Sequence, residues 1–157
     1  MGIIHVRVDE RLIHGQVATV WTNTLGANRI IVVNDAAPKD EMIIGALKMA
    51  KPAGVKLSIL STKRAIEKIK AGDYDGDKAL VITQNIADAA ALVDGDCGIT
   101  GFNVGNVATR EGTTAIKKSV SLTEEEKNTL RRLVDNGATI TAQMLPSESD
   151  ASIITFL

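Results

Sequence analysis

The amino-acid sequence predicts an α/β protein, a single-domain open doubly wound sheet of about seven mostly parallel strands with helices on both faces. Short apolar runs alternate with segments of helical spacing along all 157 residues. Several runs are apolar almost throughout, as expected for parallel strands that are covered on both faces. Strands and helices that alternate through short connections favour such a sheet. The length fits one domain, residues 1–157.

Seven short β-rich runs are predicted as strands, and several of them are apolar almost throughout. They are Ile3–Val8, Arg29–Val33, Lys56–Leu60, Ala79–Thr83, Cys97–Gly101, Ala115–Val120 and Thr139–Leu145. The polar stretch from Asn103 to Thr114 is the one long connection. A functional loop and a site of tolerated insertions are equally consistent with it.

Between the strands, apolar residues recur at the spacing of a buried helix face. The first such helix starts near Val17 and ends before Gly26, a residue typical of helix ends. The last begins at Thr123, whose hydroxyl can cap the helix while Glu126 reaches back. Three further stripes lie between them: Met42, Ile43, Ala46, Leu47 and Ala50; Ile66 and Ile69; and Ile86, Ala90 and Val93.

Composition excludes several classes of protein. The 18 basic and 19 acidic residues give a net charge of -1, which argues against a nucleic-acid or membrane-surface binder. The one cysteine, Cys97, cannot form an intrachain disulfide and is interpreted as a reduced, buried thiol. No apolar stretch approaches the roughly 20 residues that span a bilayer, and charge comes too early for a signal peptide. These features predict a cytoplasmic protein.

The loop after the first strand, Asp9–Gln16, lacks the usual nucleotide motifs. It contains neither G-x-G-x-x-G nor G-x-x-x-x-G-K-S/T. Two histidines and one cysteine make a metal cluster unexpected, so no metal and no cofactor are predicted. The acidic pair Asp9-Glu10 is similar to that of a receiver domain. A receiver also needs an aspartate after the third strand, where this chain has Ser61 and Thr62.

His14 is the residue in this loop best suited to covalent chemistry. It follows the first strand and precedes Gly15, where the first helix should begin. Imidazole has an unperturbed pKa of about 6.5, so it is a nucleophile near neutral pH. A phosphoryl group there would meet the N–H groups and dipole of the helix. Arg11 could hold the phosphate oxygens, and Asp9 could orient the ring or hold Arg11. This set suits phosphoryl transfer.

Structural roles for the same residues are the alternative. His14 could merely cap a helix, and Asp9 with Arg11 could form a surface pair. His5 lies early in the first strand, away from the strand exits, and is interpreted as structural. Arg7 shares a strand face with Asp9, and both a site role and structural pairing are consistent with that position.

The loop resembles the active-site signature of the IIB component of bacterial sugar phosphotransferase systems, of the mannose/fructose/sorbose/N-acetylgalactosamine class. The signature is the eleven-residue run Arg7–Val17, and the resemblance covers essentially the whole chain. It continues through Val33-Asn34-Asp35, Lys39-Asp40, Asn103-Val104-Gly105, Val120-Ser121-Leu122-Thr123, Gly137 and Pro146.

The resemblance implies a function for each part of the signature. The histidine that matches His14 takes a phosphoryl group, on its δ1 nitrogen, from the phosphohistidine of a IIA protein. It passes the group to a sugar that the membrane IIC and IID components import. The partners would then be a IIA protein, the IIC/IID permease and the sugar, with no nucleic acid. The protein would be cytoplasmic and transiently at the inner face of the membrane.

Supporting residues are predicted around His14. Arg11 and Asp9 are expected to serve catalysis, and Gly15, Gln16 and Asp35 to support the phosphate. Asp35 leaves the second strand, so it could lie near the first strand's exit or cap the following helix. Trp21 is interpreted as core rather than docking surface.

A binding module of different function is the second hypothesis. It would be a doubly wound domain that binds a nucleotide or sugar phosphate without covalent modification. The glycines of the Asn103–Thr114 connection are its main support. The identity of the sugar is left open among mannose, fructose, sorbose, N-acetylgalactosamine and related hexosamines.

Overall fold

The computed structural model describes residues 2–157, with eight strands and five α-helices in that range. Two short 3-10 turns cover Ala37–Lys39 and Ile153–Phe156. In chain order the elements are β1 (Gly2–Asp9), α1 (Gly15–Leu25), β2 (Arg29–Val33), α2 (Glu41–Ala50), β3 (Lys56–Leu60), α3 (Thr62–Lys70), β4 (Lys78–Thr83), α4 (Ile86–Asp94), β5 (Gly101–Asn106), β6 (Thr114–Lys117), β7 (Val120–Leu122), α5 (Glu124–Asp135) and β8 (Thr139–Ala142).

The main sheet has six parallel strands in the order β3-β2-β4-β1-β5-β8. Helices α1 and α2 contribute Trp21 and Leu47 to the core on one face. Helices α3, α4 and α5 cover the other face, with Ala65, Leu92 and Leu130 among their fully buried residues. The predicted fold class, a doubly wound parallel sheet with helices on both faces, is confirmed.

The main sheet has six strands where about seven were predicted, because the expected sixth strand is a hairpin. Segment Ala115–Val120 turns at Lys118 and Ser119, so β6 and β7 pair with each other in antiparallel fashion. A bulge at Ala115/Lys117 accompanies this pairing. Residues 114–122 therefore form a separate two-stranded sheet, and six strands remain in the main one.

The fifth strand lies later in the chain than the predicted Cys97–Gly101. Gly98, within the predicted strand, and Asp96, just before it, have positive φ angles of 87° and 53°, outside the extended conformation of a regular strand. The strand begins instead at Gly101, so the long polar connection shrinks to residues 107–113. Cys97 is half-buried in the preceding turn, where burial raises the pKa of its thiol.

Local signals at the helix ends act as predicted. Helix α1 ends at Gly26 in the left-handed conformation, with φ 69°. Helix α5 begins with the capping box of Thr123 and Glu126. The stripe on α2 is only partly buried, because Met42 is 85% exposed while Leu47 is 4% exposed.

The order of strands creates a crevice at the carboxyl end of β1. Strand β1 leads to α1 on one face of the sheet, whereas its neighbour β5 leads through the hairpin to α5 on the other face. Connections that part in this way leave room for a ligand between them. The loop after β1 lies at this point.

Candidate active site

Two residues of β1 lie on the α1 side of the sheet because side chains alternate along a strand. Val6 and Val8 belong to the core with α3, α4 and α5, whereas Arg7 and Asp9 face the opposite side. Arg7 is 2% exposed and Asp9 is 1% exposed. Buried charges of this kind need partners.

Asp9 receives hydrogen bonds from two arginines. Its Oδ1 accepts from the backbone N–H of Arg11 at 3.0 Å and from Nε at 2.9 Å. Its Oδ2 accepts from Nη2 of Arg11 at 2.8 Å and from Nη2 of Arg7 at 3.3 Å. The side chain of Arg11 is 30% exposed, so Arg11 reaches from the buried carboxylate to the surface. The alternative of a surface pair does not describe this geometry, since Asp9 is inside the protein.

Arg7 is held beneath the loop by distant parts of the chain. Its Nη1 donates to the carbonyl of Gln143 at 2.8 Å. Its guanidinium lies 5.2 Å from the ring centre of Trp21, whose indole N–H donates to the carbonyl of Met144 at 3.0 Å. A Cβ at Gly105 would overlap this guanidinium, so the glycine makes room for Arg7.

A tight turn brings the chain from β1 to His14. The N–H of Leu12 donates to the carbonyl of Asp9 at 2.8 Å. Leu12 adopts φ 60°, a conformation that costs a non-glycine residue roughly 1–2 kcal/mol. Leu12 and Ile13 are both buried in the core beneath α1, which offsets this strain and anchors the loop.

His14 is exposed at the start of α1. It occupies the N-cap position, but its side chain makes no capping hydrogen bond. Its carbonyl accepts from Ala18, whereas the imidazole has no hydrogen-bond partner within residues 2–157. The first turn of α1 has no acidic residue, so the positive end of the helix dipole is not neutralised. The imidazole is thus free to meet a molecule from outside.

Arg7 and Arg11 share the carboxylate of Asp9, and each also lies near a second carboxylate, that of Glu148 for Arg7 and that of Glu10 for Arg11. Hydrogen bonding to Asp9 raises the pKa of Arg11, while burial lowers the pKa of Arg7 and the ion pair with Asp9 opposes that shift. Nη1 of Arg11 has no hydrogen bond within residues 2–157, so it can donate to an anion.

The three predicted supporting residues have different positions. Gly15 is the half-buried first residue of α1, directly after His14, and Gln16 is exposed on the first turn. Asp35 is exposed, and its Oδ1 accepts from the N–H of Thr62 at 2.8 Å, at the start of α3. No hydrogen bond or ion pair joins Asp35 to Asp9 or Arg11.

Sequence reasoning missed the part of the site that comes from β8. Met144 directly follows Gln143, and its sulfur lies 3.7 Å from Nη2 of Arg7 and 3.9 Å from Nη2 of Arg11. Asn103 fixes this segment, since its Nδ2 donates to the Gln143 carbonyl at 2.9 Å. No local pattern indicated these contacts, because they join positions 40 to 137 residues apart.

His5 has the structural role expected for it. Its ring stacks on Trp21 with a centroid distance of 4.8 Å, and it lines a cavity of about 490 Å³ at the opposite edge of the sheet. That cavity contacts none of the predicted site residues. Burial, with Arg7 nearby, lowers the pKa of His5 to about 4.

We expect the stability of the protein to fall in mild acid because of His5. Since its pKa is lower in the folded than in the unfolded chain, the unfolded chain binds more protons below pH 6.5. The free energy of unfolding should fall by about 2 kcal/mol from this group between pH 7.5 and pH 5. Urea unfolding of the wild type and His5→Phe at both pH values measures the difference. An equal pH dependence in the two proteins would contradict it.

The described part of the chain offers neither a group of metal ligands nor a membrane-spanning helix. Within residues 2–157, no three side chains of His, Cys, Asp or Glu are grouped so that they could bind a metal ion. No helix in the same range has the length and apolar character needed to span a bilayer.

Comparison with known proteins points to one family. The family model for the PTS system sorbose subfamily IIB component matches residues 3–157. The fructose-specific EIIB component of Bacillus subtilis is 32% identical over 157 residues, which are 100% of this chain and 96% of that protein. The mannose-specific EIIAB component of Escherichia coli K12 is 35% identical over 131 residues, 83% of this chain and 41% of that protein.

A solved structure agrees in fold as well as sequence. The crystal structure of the IIBSor domain of the sorbose permease from Klebsiella pneumoniae superposes with a TM-score of 0.92 and 31% identity. The superposition covers 99% of this chain and 96% of that one.

Proposed function

Because this chain belongs to the sorbose subfamily of IIB components of the sugar phosphotransferase system, we propose that His14 is its phosphoryl acceptor. The observation that carries the proposal is an exposed imidazole at a helix N-terminus, in the same short loop as an arginine whose guanidinium is fixed by a buried carboxylate. Such an arrangement combines a nucleophile with a site for an anion.

The proposed first step is transfer from a phosphohistidine of a IIA protein. The N–P bond of the donor breaks as a new N–P bond forms, by the family resemblance at Nδ1 of His14. Transfer of this kind depends mainly on positioning and neutralisation of charge. The free Nη1 of Arg11 and the first N–H groups of α1 supply donors for the phosphoryl oxygens.

The proposed second step passes the phosphoryl group to a sugar held by the membrane IIC/IID components. The N–P bond at His14 breaks, a sugar oxygen takes the phosphorus, and its proton is released. Since His14 must meet two partners in turn, its exposure and lack of a hydrogen-bond partner suit the role. This handover would take place at the inner face of the cell membrane.

The test is intact-mass spectrometry after incubation with a phosphorylated IIA protein. We expect the protein to gain the mass of one phosphoryl group, in an acid-labile linkage typical of phosphohistidine. Reversible binding of a sugar phosphate or nucleotide without any gain in mass would favour the non-covalent binding module instead.

Arg11→Gln should fold normally and slow phosphoryl transfer by about ten- to a hundredfold. A hydrogen bond to a charged group contributes about 1.5–3 kcal/mol, against roughly 0.3–1 kcal/mol from the helix dipole. The arginine is therefore the larger contribution. At about 1.4 kcal/mol per factor of ten, its loss corresponds to transfer that is about ten- to a hundredfold slower. Rapid-quench transfer from phosphorylated IIA gives the rate, and circular dichroism checks the fold.

Arg11→Lys is the matched variant for this prediction. It keeps the charge but cannot hold Asp9 through two nitrogens, so it should recover only part of the rate. Wild-type rates in both variants would show that Arg11 does not bind the phosphoryl group.

A further inference from the structure

Glu10 joins the loop of His14 to the ends of two neighbouring strands. Its N–H donates to the carbonyl of Asn106, at the end of β5, at 2.9 Å. Its carbonyl accepts from Nε2 of Gln84, just after β4, at 3.3 Å. Its Oε2 accepts from the N–H of Ala108 at 2.9 Å. One half-buried residue therefore has three contacts with chain segments that are distant in sequence.

These contacts continue to a fourth strand. Oε1 of Gln84 accepts from Nδ2 of Asn34 at 2.9 Å, directly after β2. Oδ1 of Asn34 in turn accepts from the N–H groups of Ala36 and Ala37. The exits of β2, β4, β1 and β5 are thus linked by one chain of hydrogen bonds, with Glu10 at its centre.

We infer that Glu10 is a positioning residue for phosphoryl transfer at His14, an inference that rests on the proposed function. The main-chain bond to Asn106 continues the pairing of β1 with β5 and fixes the loop at one point. The Gln84 side chain adds a second point at the Glu10 carbonyl, and the carboxylate adds a third, on the connection 107–113. The carboxylate bond is the one that ties the loop to that connection, so it limits pivoting of the loop about the end of β1.

Glu10 acts on the opposite side of the turn from the buried anchors. Leu12 and Ile13 hold the loop in the core on the α1 face, whereas Glu10 holds it to the hairpin side of the crevice. Arg11, which clamps Asp9, lies between these two attachments in the chain. The carboxylate therefore helps to fix the position of the loop in which Arg11 and His14 meet a phosphoryl group.

The carboxylate of Glu10 accepts a hydrogen bond from the N–H of Ala108, so variants that remove or keep this acceptor test the inference. Glu10→Ala removes the acceptor of the Ala108 N–H. Glu10→Gln retains an oxygen that can accept this bond, although it removes the charge. Glu111→Ala is the control, because Glu111 is exposed on the same connection with no hydrogen bond or ion pair within residues 2–157.

The experiment measures transfer from phosphorylated IIA at a series of donor concentrations. Glu10→Ala should lower the maximal rate about tenfold, with the half-saturating donor concentration unchanged, since the reacting groups and not the docking are disturbed. The maximal rate of Glu10→Gln should lie within about threefold of the wild-type rate, and that of Glu111→Ala should equal the wild-type rate. Amide hydrogen exchange at Ala108 should be faster in Glu10→Ala and slow again in Glu10→Gln.

Each other result has a definite meaning. A wild-type maximal rate in Glu10→Ala overturns the inference. A Glu10→Gln variant as slow as Glu10→Ala also overturns it, because the effect would then come from the charge of Glu10 and not from its hydrogen bond. A change confined to the half-saturating concentration would make Glu10 a docking contact instead. If the wild type itself takes no phosphoryl group, the proposed function fails. Hydrogen exchange at Ala108 would still report whether the Glu10 carboxylate accepts its N–H.

Discussion

His14→Ala should take no phosphoryl group from phosphorylated IIA, so that labelling falls to background. The imidazole is the proposed nucleophile, and alanine offers no nitrogen in its place. Folding should be unaffected, because the His14 side chain is exposed and makes no hydrogen bond within residues 2–157. Intact-mass spectrometry and acid-labile labelling measure the outcome, with thermal unfolding as the check of the fold.

His5→Ala is the matched control for this prediction. His5 is the other histidine of the chain and lies early in β1, before Arg7 and Asp9, with its ring stacked on Trp21. This variant should lose some stability because a buried ring is removed, but it should keep its labelling. Labelling that persists in a folded His14→Ala protein would contradict the central proposal.

Asp9→Asn should reduce both stability and transfer. The carboxylate accepts four hydrogen bonds from Arg7 and Arg11, whereas an asparagine amide places N–H groups against some of the same donors. Arg7, 2% exposed, is then left without its anionic partner. Removal of one partner from a buried ion pair costs about 3–5 kcal/mol. Denaturant unfolding should show a loss of this size in the free energy of unfolding.

The rate of phosphoryl transfer should also fall in Asp9→Asn, by about a hundredfold. Arg11 loses the carboxylate that fixes its guanidinium, so the proposed anion site is no longer preorganised. Rapid-quench measurement under conditions in which the variant remains folded gives this rate.

Asp77→Asn controls for the loss of a carboxylate elsewhere. Asp77 pairs with Arg29 at 2.7 Å, just before β4 and thus at the opposite edge of the sheet. Its side chain is 14% exposed, so water can replace part of the interaction. A smaller loss of stability and a wild-type transfer rate are expected. If Asp9→Asn behaves like Asp77→Asn, the buried carboxylate has no special role in transfer.

Local sequence patterns were sufficient for the fold class and for several element boundaries. Strands β2 and β3 have the predicted bounds, since each is a short apolar run between turn residues. Gly26 ends α1, and Thr123 with Glu126 begins α5, because these signals act within one helical turn. The resemblance of Arg7–Val17 identified the family, which the comparisons confirm.

The boundaries that failed depend on backbone conformation rather than on hydrophobicity. Cys97–Gly101 is apolar enough for a strand, but the positive φ angles of Asp96 and Gly98 turn the chain there. Ala115–Val120 has the length of a strand and apolar residues at both ends, and in fact contains a turn. Hydrophobic pattern alone does not distinguish a strand from a hairpin that is bent within the same run.

The sequence by itself determined that His14 follows a buried strand and precedes a helix, with Asp9 and Arg11 beside it. Only the tertiary structure decided that Asp9 is buried between two guanidiniums and that Met144 lies against both. It also decided that Gly105 leaves the space for Arg7. The reason is that these contacts depend on the register of β1 against β5 and on the end of β8 beyond it. Such pairings join distant positions and are set by packing of the whole sheet, which no short window of sequence contains.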